Sequence, residues 1–144
     1  MGVPATVSLI TLGVADVAAS TRFYEQLGFE RSAASVPGEV SFFRTAGGIL
    51  AVWGATSLAD DAGVPGAPAP AYRGVSLAIN VSSAAEVDES LSHAASCGAR
   101  ITRPARAVEW GGYNGYFADP DGHLWEVAHN PFWPLDGSGL PRLP

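Results

Sequence analysis

One order of elements occurs twice in this chain, and it constrains the fold more than any other feature. Residues 7–14 (VSLITLGV) are dense in β-branched and apolar side chains and read as a strand. Asp16 is placed to cap a helix in which Val17, Ser20, Phe23, Tyr24 and Leu27 recur at helical spacing, and Gly28 supplies its stop. Strands follow at 29–33, 40–45 and 49–53, separated by Pro37-Gly38 and Gly47-Gly48. The order then starts again. Residues 74–81 form an apolar strand. Ser83 stands three residues before Glu86, as in a capping box, and a helix runs to Cys97 with Gly98 as its stop. A strand at 99–108 contains Pro104, which marks it as an edge or bulged strand. Strands at 113–118 and 124–129 flank Asp119-Pro120-Asp121-Gly122, whose chemistry is that of a tight turn. A β-α-β-β-β order repeated at a period of about 65–70 residues implies two similar modules sharing one core.

The class is therefore α+β, in a single domain over 1–144. Module one covers 5–54 and module two covers 73–130. Between them, residues 55–72 are rich in Gly, Pro and Ala without periodicity and read as a linker or flexible loop. Residues 131–144 hold four prolines and form a tail. Its Phe132 and Trp133 either pack on the domain's own surface or serve as a lid or dimer contact.

Composition narrows the function classes. Hydrophobic residues make up 47% and charged residues 15%, which excludes disorder for the bulk of the chain. No stretch approaches the ~20 apolar residues of a membrane span. The first ten residues carry no basic side chain, against a secretory signal. A single cysteine, Cys97, excludes an internal disulfide and a multi-cysteine zinc site. A cytoplasmic location fits. The net charge is −6, and all eight basic residues are arginine. An acidic chain without a basic cluster repels phosphate backbones, so nucleic acid is not an expected partner, and neither is a membrane. Frequent Ala, Gly and Pro with no lysine suggest a GC-rich bacterial source.

Two segments carry a family resemblance. SLITLGVADVAASTRFYEQLGF resembles the opening of vicinal-oxygen-chelate proteins, and GYFADPDGHLWEVAHNP resembles their closing hairpin. That superfamily includes glyoxalase I, bleomycin-resistance proteins, fosfomycin-resistance thiol transferases and extradiol dioxygenases. The resemblance covers roughly residues 5–132. It implies two βαβββ modules whose mixed sheets curl around a shared cup, and a homodimer.

Enzymes of the superfamily usually hold a divalent metal in the cup, so the resemblance can be followed ligand by ligand. One ligand position falls seven residues before the helix-capping aspartate, at Leu9. A second falls on the strand opening module two, at Ser76. A middle one falls near Gly48 or Leu50. The last falls seven residues after the first Asp of Asp-Pro-Asp-Gly, at Glu126. Only Glu126 can ligate, whereas a catalytic divalent metal normally takes at least three protein ligands. No metal and no cofactor is therefore expected. His123 and His129 do not rebuild the site, because Glu126 points to the opposite side of their strand.

If Glu126 faces the cup, Leu124 and Ala128 do too. The match to the thiol-transferase branch puts Tyr116, Asn114, Leu9 and Thr11 inside as well. That gives a carboxylate, a phenol, an amide and a hydroxyl among apolar walls, the make-up of a small-molecule pocket. The bland alternative is a filled core with Glu126 paired to Arg44 or Arg73. Trp53, Trp110, Trp125 and Trp133 are candidate walls for a flat ligand, with Trp110 in an entrance loop; core and interface are the commoner roles of such residues. Cys97 reads as a small apolar residue, because no base is visible beside it.

Four functions compete, the last of them a regulatory or scaffold role with an empty core. In the first, the protein is a metal-free module of the bleomycin-resistance kind that sequesters a drug-like, cationic and partly aromatic molecule. In the second, it is a lyase or isomerase in which Glu126 abstracts a proton α to a carbonyl and Tyr116 donates to the enolate. In the third, it is a metal-dependent lyase or dioxygenase with unusual ligands. The catalytic candidates are Glu126 and Tyr116; the ligand-binding candidates are Leu9, Thr11, Asn114, Trp53 and Trp110.

Overall fold

The structure is a computed structural model that describes residues 2–144. The chain divides between Ala67 and Pro68 into two compact units, each built on a mixed four-stranded sheet in the βαβββ order.

In the first unit, β1 (Leu9–Val14) pairs in parallel with β4 (Ile49–Gly54). The other side of β4 takes β3 (Val40–Arg44), and β3 takes the two-residue β2 (Glu30–Arg31), both antiparallel. Helix α1 (Val17–Leu27) starts where Asp16 accepts a hydrogen bond from the Ala19 amide at 3.0 Å, and ends at Gly28 with φ of 123°. Its buried face presents Val17, Ser20, Thr21, Phe23 and Tyr24. Tyr24 is fully buried, 5.8 Å from the Phe43 ring and edge-on to Phe23 at 5.0 Å. Complete burial of a side chain such as Phe43 contributes on the order of 1.5–3 kcal/mol. Thr21 on this face is matched, since its Oγ1 donates to Val17 O and lies 2.8 Å from Ser41 Oγ, whereas Ser20 Oγ is buried without a hydrogen-bond partner.

Residues 55–72 differ from the sequence expectation, because they open with helix α2 (Ala55–Ala62) rather than with loop. The Gly and Pro content that suggested a linker is concentrated beyond it, from Gly63 onward. Gly63 closes the helix in the left-handed conformation, the ordinary role of glycine at a helix end. Leu58 anchors the helix: a Cβ on Gly13 would lie 3.4 Å from Leu58 Cδ2 and 3.2 Å from Ala55 Cα. The bare backbone of Gly13 is what lets α2 settle against β1.

The second unit repeats the plan. β5 (Ser76–Asn80) runs parallel to β8 (Leu124–His129), then come β7 (Tyr113–Ala118) and the edge strand β6 (Arg100–Ala107). Helix α3 (Ala84–Ser96) has Ser83 as its cap, with Ser83 Oγ accepting from the Glu86 amide at 3.1 Å. Glu86 reaches back one residue further than in a standard capping box, to the amide and hydroxyl of Ser82, both at 2.9 Å. Val87, Leu91 and Ala94 bury the inner face of α3 together with Phe117, Trp125 and Val127 of the sheet. Phe117 and Trp125 stack with planes 5° apart. Pro104 does bulge β6, whose register shifts on both sides of Arg103. The tail folds on itself: Asp136 Oδ1 accepts from the amides of Ser138 and Leu140, and Leu135 bridges Pro141.

Gly115 marks where the second unit is tightest. A Cβ there would lie 2.5 Å from Leu91 Cδ1 and 2.9 Å from the Ala105 amide nitrogen. Gly115→Ala is expected to cost about 1–3 kcal/mol through overpacking, read as a lower denaturant midpoint. An unchanged midpoint would mean that α3 and β6 move apart freely.

Candidate functional site

The face of the second sheet turned away from α3 carries its polar side chains. Alternation along β8 puts Trp125 and Val127 under α3 and leaves Glu126 on the other side. Across the sheet, Arg103 of β6, Tyr116 of β7, Glu126 of β8 and Ala78 of β5 stand opposite one another in register. Asn114 is two residues along β7 from Tyr116, opposite Ala128. Small residues at 78 and 128 leave the carboxylate unobstructed on those sides.

These groups form one bonded cluster. Asn114 Nδ2 donates to Glu126 Oε2 at 2.6 Å. The Arg103 guanidinium donates to Asn114 Oδ1, and again through NH1 to Asn114 O at 3.2 Å. Its carbon lies 5.3 Å from the centroid of the Tyr116 ring, a cation–π distance. Burial, then the Glu126 charge and a hydrogen bond to it, hold the Tyr116 phenol above its ordinary ionisation range, while Arg103 pulls the other way. The phenol is therefore a proton donor at neutral pH.

The cluster contains three of the candidates named from the sequence: Glu126, Tyr116 and Asn114. It also contains Arg103, which the sequence reading missed. Neither arginine offered there as a partner for Glu126 takes that role: Arg44 pairs with Glu30 at 3.5 Å, and Arg73 binds His123 at 2.7 Å and the carbonyl of Asp121. The available signal was the bulge. Pro104 breaks the ladder beside Arg103, and a bulge re-aims a neighbouring side chain.

Leu9, Thr11 and Trp53 belong to the first unit and share the face of its sheet away from α1. Their ladder partners there are Ile49, Ala51 and Gly13. Leu9 is exposed; Thr11 and Trp53 are half-buried. Trp110 is exposed in the loop between β6 and β7, its ring folded over Gly112, where a Cβ would collide with it. Trp125 is not a pocket wall, because it is buried beneath α3 opposite Glu126. Cys97 does have an imidazole beside it, His93 Nε2 at 3.6 Å from Sγ, one helical turn earlier.

Comparison with known proteins bears on the whole architecture. Residues 6–127 match the model of the Glyoxalase/Bleomycin resistance protein/Dioxygenase superfamily. The chain belongs to this superfamily. Among solved structures, a glyoxalase-related enzyme from Fulvimarina pelagi is 37% identical with a TM-score of 0.86, the match covering 97% of this chain and 99% of that one. A glyoxalase/bleomycin resistance protein/dioxygenase from Nocardioides is 29% identical with a TM-score of 0.75, over 100% and 93% of the two chains. A lactoylglutathione lyase from Agrobacterium tumefaciens shares the fold at 23% identity and a TM-score of 0.70, over 90% and 97%. No curated protein matches the sequence.

The superfamily's metal can be tested against the residues at its ligand positions. Leu9 has no donor. Leu50 has none either, and is buried. At Gly48 any side chain is excluded, since a Cβ would meet Val7 O at 2.7 Å and Ser8 O at 2.8 Å. Ser76 offers only a hydroxyl. Glu126 is a carboxylate, but its Oε2 already accepts from Asn114. Among the described residues no three His, Cys, Asp or Glu side chains are grouped to hold an ion. This donor set does not fit a divalent metal.

The Tyr116 phenol should report the charges around it. Glu126→Gln removes the nearby anion that opposes ionisation, so the phenol pKa is expected to fall. Arg103→Gln removes the cation that favours ionisation, so it is expected to rise. A 13Cζ tyrosine NMR titration, with the Tyr116 signal assigned by Tyr116→Phe, reads both shifts. Shifts of the same sign in the two variants would contradict the geometry.

Proposed function

We propose that this protein is a metal-free, small-molecule-binding member of the superfamily that holds its ligand on the Asn114–Tyr116–Glu126 face and does not transform it. The observation that carries this reading is the hydrogen bond tying Asn114 to Glu126, with Tyr116 opposite the carboxylate in register. A carboxylate poised to abstract a proton from carbon needs a lone pair directed at the substrate, and a phenol serving an enolate needs its proton directed outward. Here the carboxylate accepts from the Asn114 amide, and the phenol stands opposite it in register, its ionisation opposed by the carboxylate's charge. Such a cluster suits recognition, in which a ligand's own donor meets Glu126 while its apolar body covers the surrounding surface.

The ligand class follows from the same chemistry: a partly aromatic compound with an ammonium or other strong donor. A net charge of −6 attracts such cations at long range, and salt screens that attraction. The positions where the superfamily places metal ligands support a degenerate metal site in this chain.

Two measurements test the reading. Elemental mass spectrometry after incubation with Zn, Ni, Mn and Fe(II) is expected to give far less than one metal per chain. A stoichiometry near one would return the metal-dependent lyase or dioxygenase to first place. Calorimetric titration with bleomycin-class glycopeptides and simple aryl-alkylamines is expected to show saturable binding, with the compound recovered unchanged. Loss of one charge-assisted hydrogen bond in Glu126→Gln should weaken it about 10- to 100-fold. Absence of heat with every compound overturns the binding reading. Deuterium exchange α to a carbonyl, lost in Glu126→Gln, would put the proton-abstraction reading in its place.

A further inference from the structure

The geometry points to Arg103 as a positioning residue for Glu126, acting through Asn114. The inference rests on Glu126 being the ligand anchor. A primary amide has two chemically different ends, and rotation by half a turn about its last bond exchanges them. In one orientation Asn114 offers its NH2 to Glu126. In the other it offers its carbonyl oxygen, which repels a carboxylate. Arg103 decides between them. Its guanidinium donates to Asn114 Oδ1, so the oxygen is held on the β6 side and Nδ2 is left to donate to Glu126 Oε2 at 2.6 Å.

Three observations make Arg103 suited to this and not a passing surface charge. First, it is fixed at several points, through NH1 to Asn114 O at 3.2 Å and to Pro104 O at 3.1 Å, and by its place over the Tyr116 ring. Second, the register of β6 shifts between Ile101 and Arg103 and again between Arg103 and Arg106. Pro104 lies in that irregular stretch and has no amide proton for the ladder. The bulge thus turns Arg103 to the Tyr116 face, where unbroken alternation from Ile101 would turn it to the Phe117 face. Third, a planar fork can serve the side-chain and main-chain oxygens of one asparagine together, which an ammonium cannot do with the same geometry. Among the described residues the hydrogen bonds of Arg103 go to Pro104 and Asn114 and not to Glu126, so its effect on the carboxylate passes through the amide it orients.

A purely structural Arg103 would stabilise the bulge and leave the amide indifferent. The two roles separate in the side-chain amide region of a 1H–15N spectrum of the free protein, with Asn114 assigned by Asn114→Asp. In the wild type, the Asn114 proton bonded to Glu126 is expected well downfield of ordinary asparagine protons. In Arg103→Gln it is expected to move back to the ordinary range while the backbone amides of β7 and β8 stay in place. Arg103→Lys restores the charge but not the fork and is expected to give the same collapse. It also supplies the test should Arg103→Gln fail to fold. An unmoved Asn114 signal in folded Arg103→Gln, or in Arg103→Lys where Arg103→Gln does not fold, overturns the proposal. Full recovery in Arg103→Lys overturns the fork and leaves only charge. The signal is read without ligand, so failure here and failure to find a ligand are separate results.

Discussion

Asp119 Oδ1 accepts hydrogen bonds from the amides of Asp121 and His123, at 2.9 and 2.8 Å, and the polar face of the second unit depends on that turn. The carboxylate is buried and closes the loop between β7 and β8, setting Ala118 opposite Leu124 and, four pairs on, Asn114 opposite Ala128. Side chains alternate along both strands, so a slip of one residue would exchange the two faces completely. Trp125 and Val127 would leave the core, and Glu126 would enter it beneath α3. Burying an unmatched carboxylate there costs several kcal/mol, so packing under the helix and chemistry on the far face enforce the same register. Asp-Pro-Asp-Gly is in this sense part of the site, although none of its side chains belongs to the cluster.

The two units show how one plan diverges. In both, the first and last strands pair in parallel and a capped helix covers one face. Their opposite faces differ in chemistry. In the first unit that face offers Leu9, Thr11, Ile49, Ala51 and Trp53 from its paired strands, a hydroxyl among carbon. In the second, the corresponding face carries a guanidinium, an amide, a phenol and a carboxylate. On the edge strands of the first unit the same alternation leaves one exposed ion pair, Arg44 with Glu30, and the amide and phenol belong to the second unit alone. The ligand positions of the superfamily's metal follow the same bias, since Glu126 is the one carboxylate among them.

The sequence made legible whatever local rules decide. The cap residues Asp16 and Ser83, the stops at Gly28 and Gly98, and strands β7 and β8 follow from patterns a few residues long. So does the irregularity at Pro104. What stayed hidden depended on partners distant in the chain. Helix α2 was obscured because ATSLADDA has a single large apolar side chain, and that anchor, Leu58, gains meaning only against Gly13. The side of the sheet taken by Trp125 follows from the same alternation that places Glu126, and its core role is the commoner one for such a residue. Arg103 was hidden most thoroughly. Strand alternation predicts a side chain's direction only while the ladder is regular, and the bulge that makes Arg103 useful is what breaks the rule. The cluster of Glu126, Tyr116 and Asn114 lies on a regular hairpin, where two-residue periodicity suffices.

The bonded state of the cluster also limits how a ligand can be held. An ammonium that approaches Glu126 meets a carboxylate already accepting from Asn114, and it exchanges one set of hydrogen bonds for another. Such exchanges are worth about 0.5–1.5 kcal/mol for neutral partners and somewhat more for charged ones. Arg103 balances the Glu126 charge at the remove of one amide, which further limits the electrostatic gain. On the proposed function, affinity would come mainly from apolar area, at roughly 25 cal/mol per Å2 removed from water, while the polar cluster would reject molecules whose donors fall in the wrong place. A site of this kind tolerates variation in the body of its ligand and is strict about one end of it. That pattern suits capture of a class of compounds sharing a head group. It suits turnover less well, because stabilisation reserved for the transition state would require donors and acceptors left unspent in the resting protein.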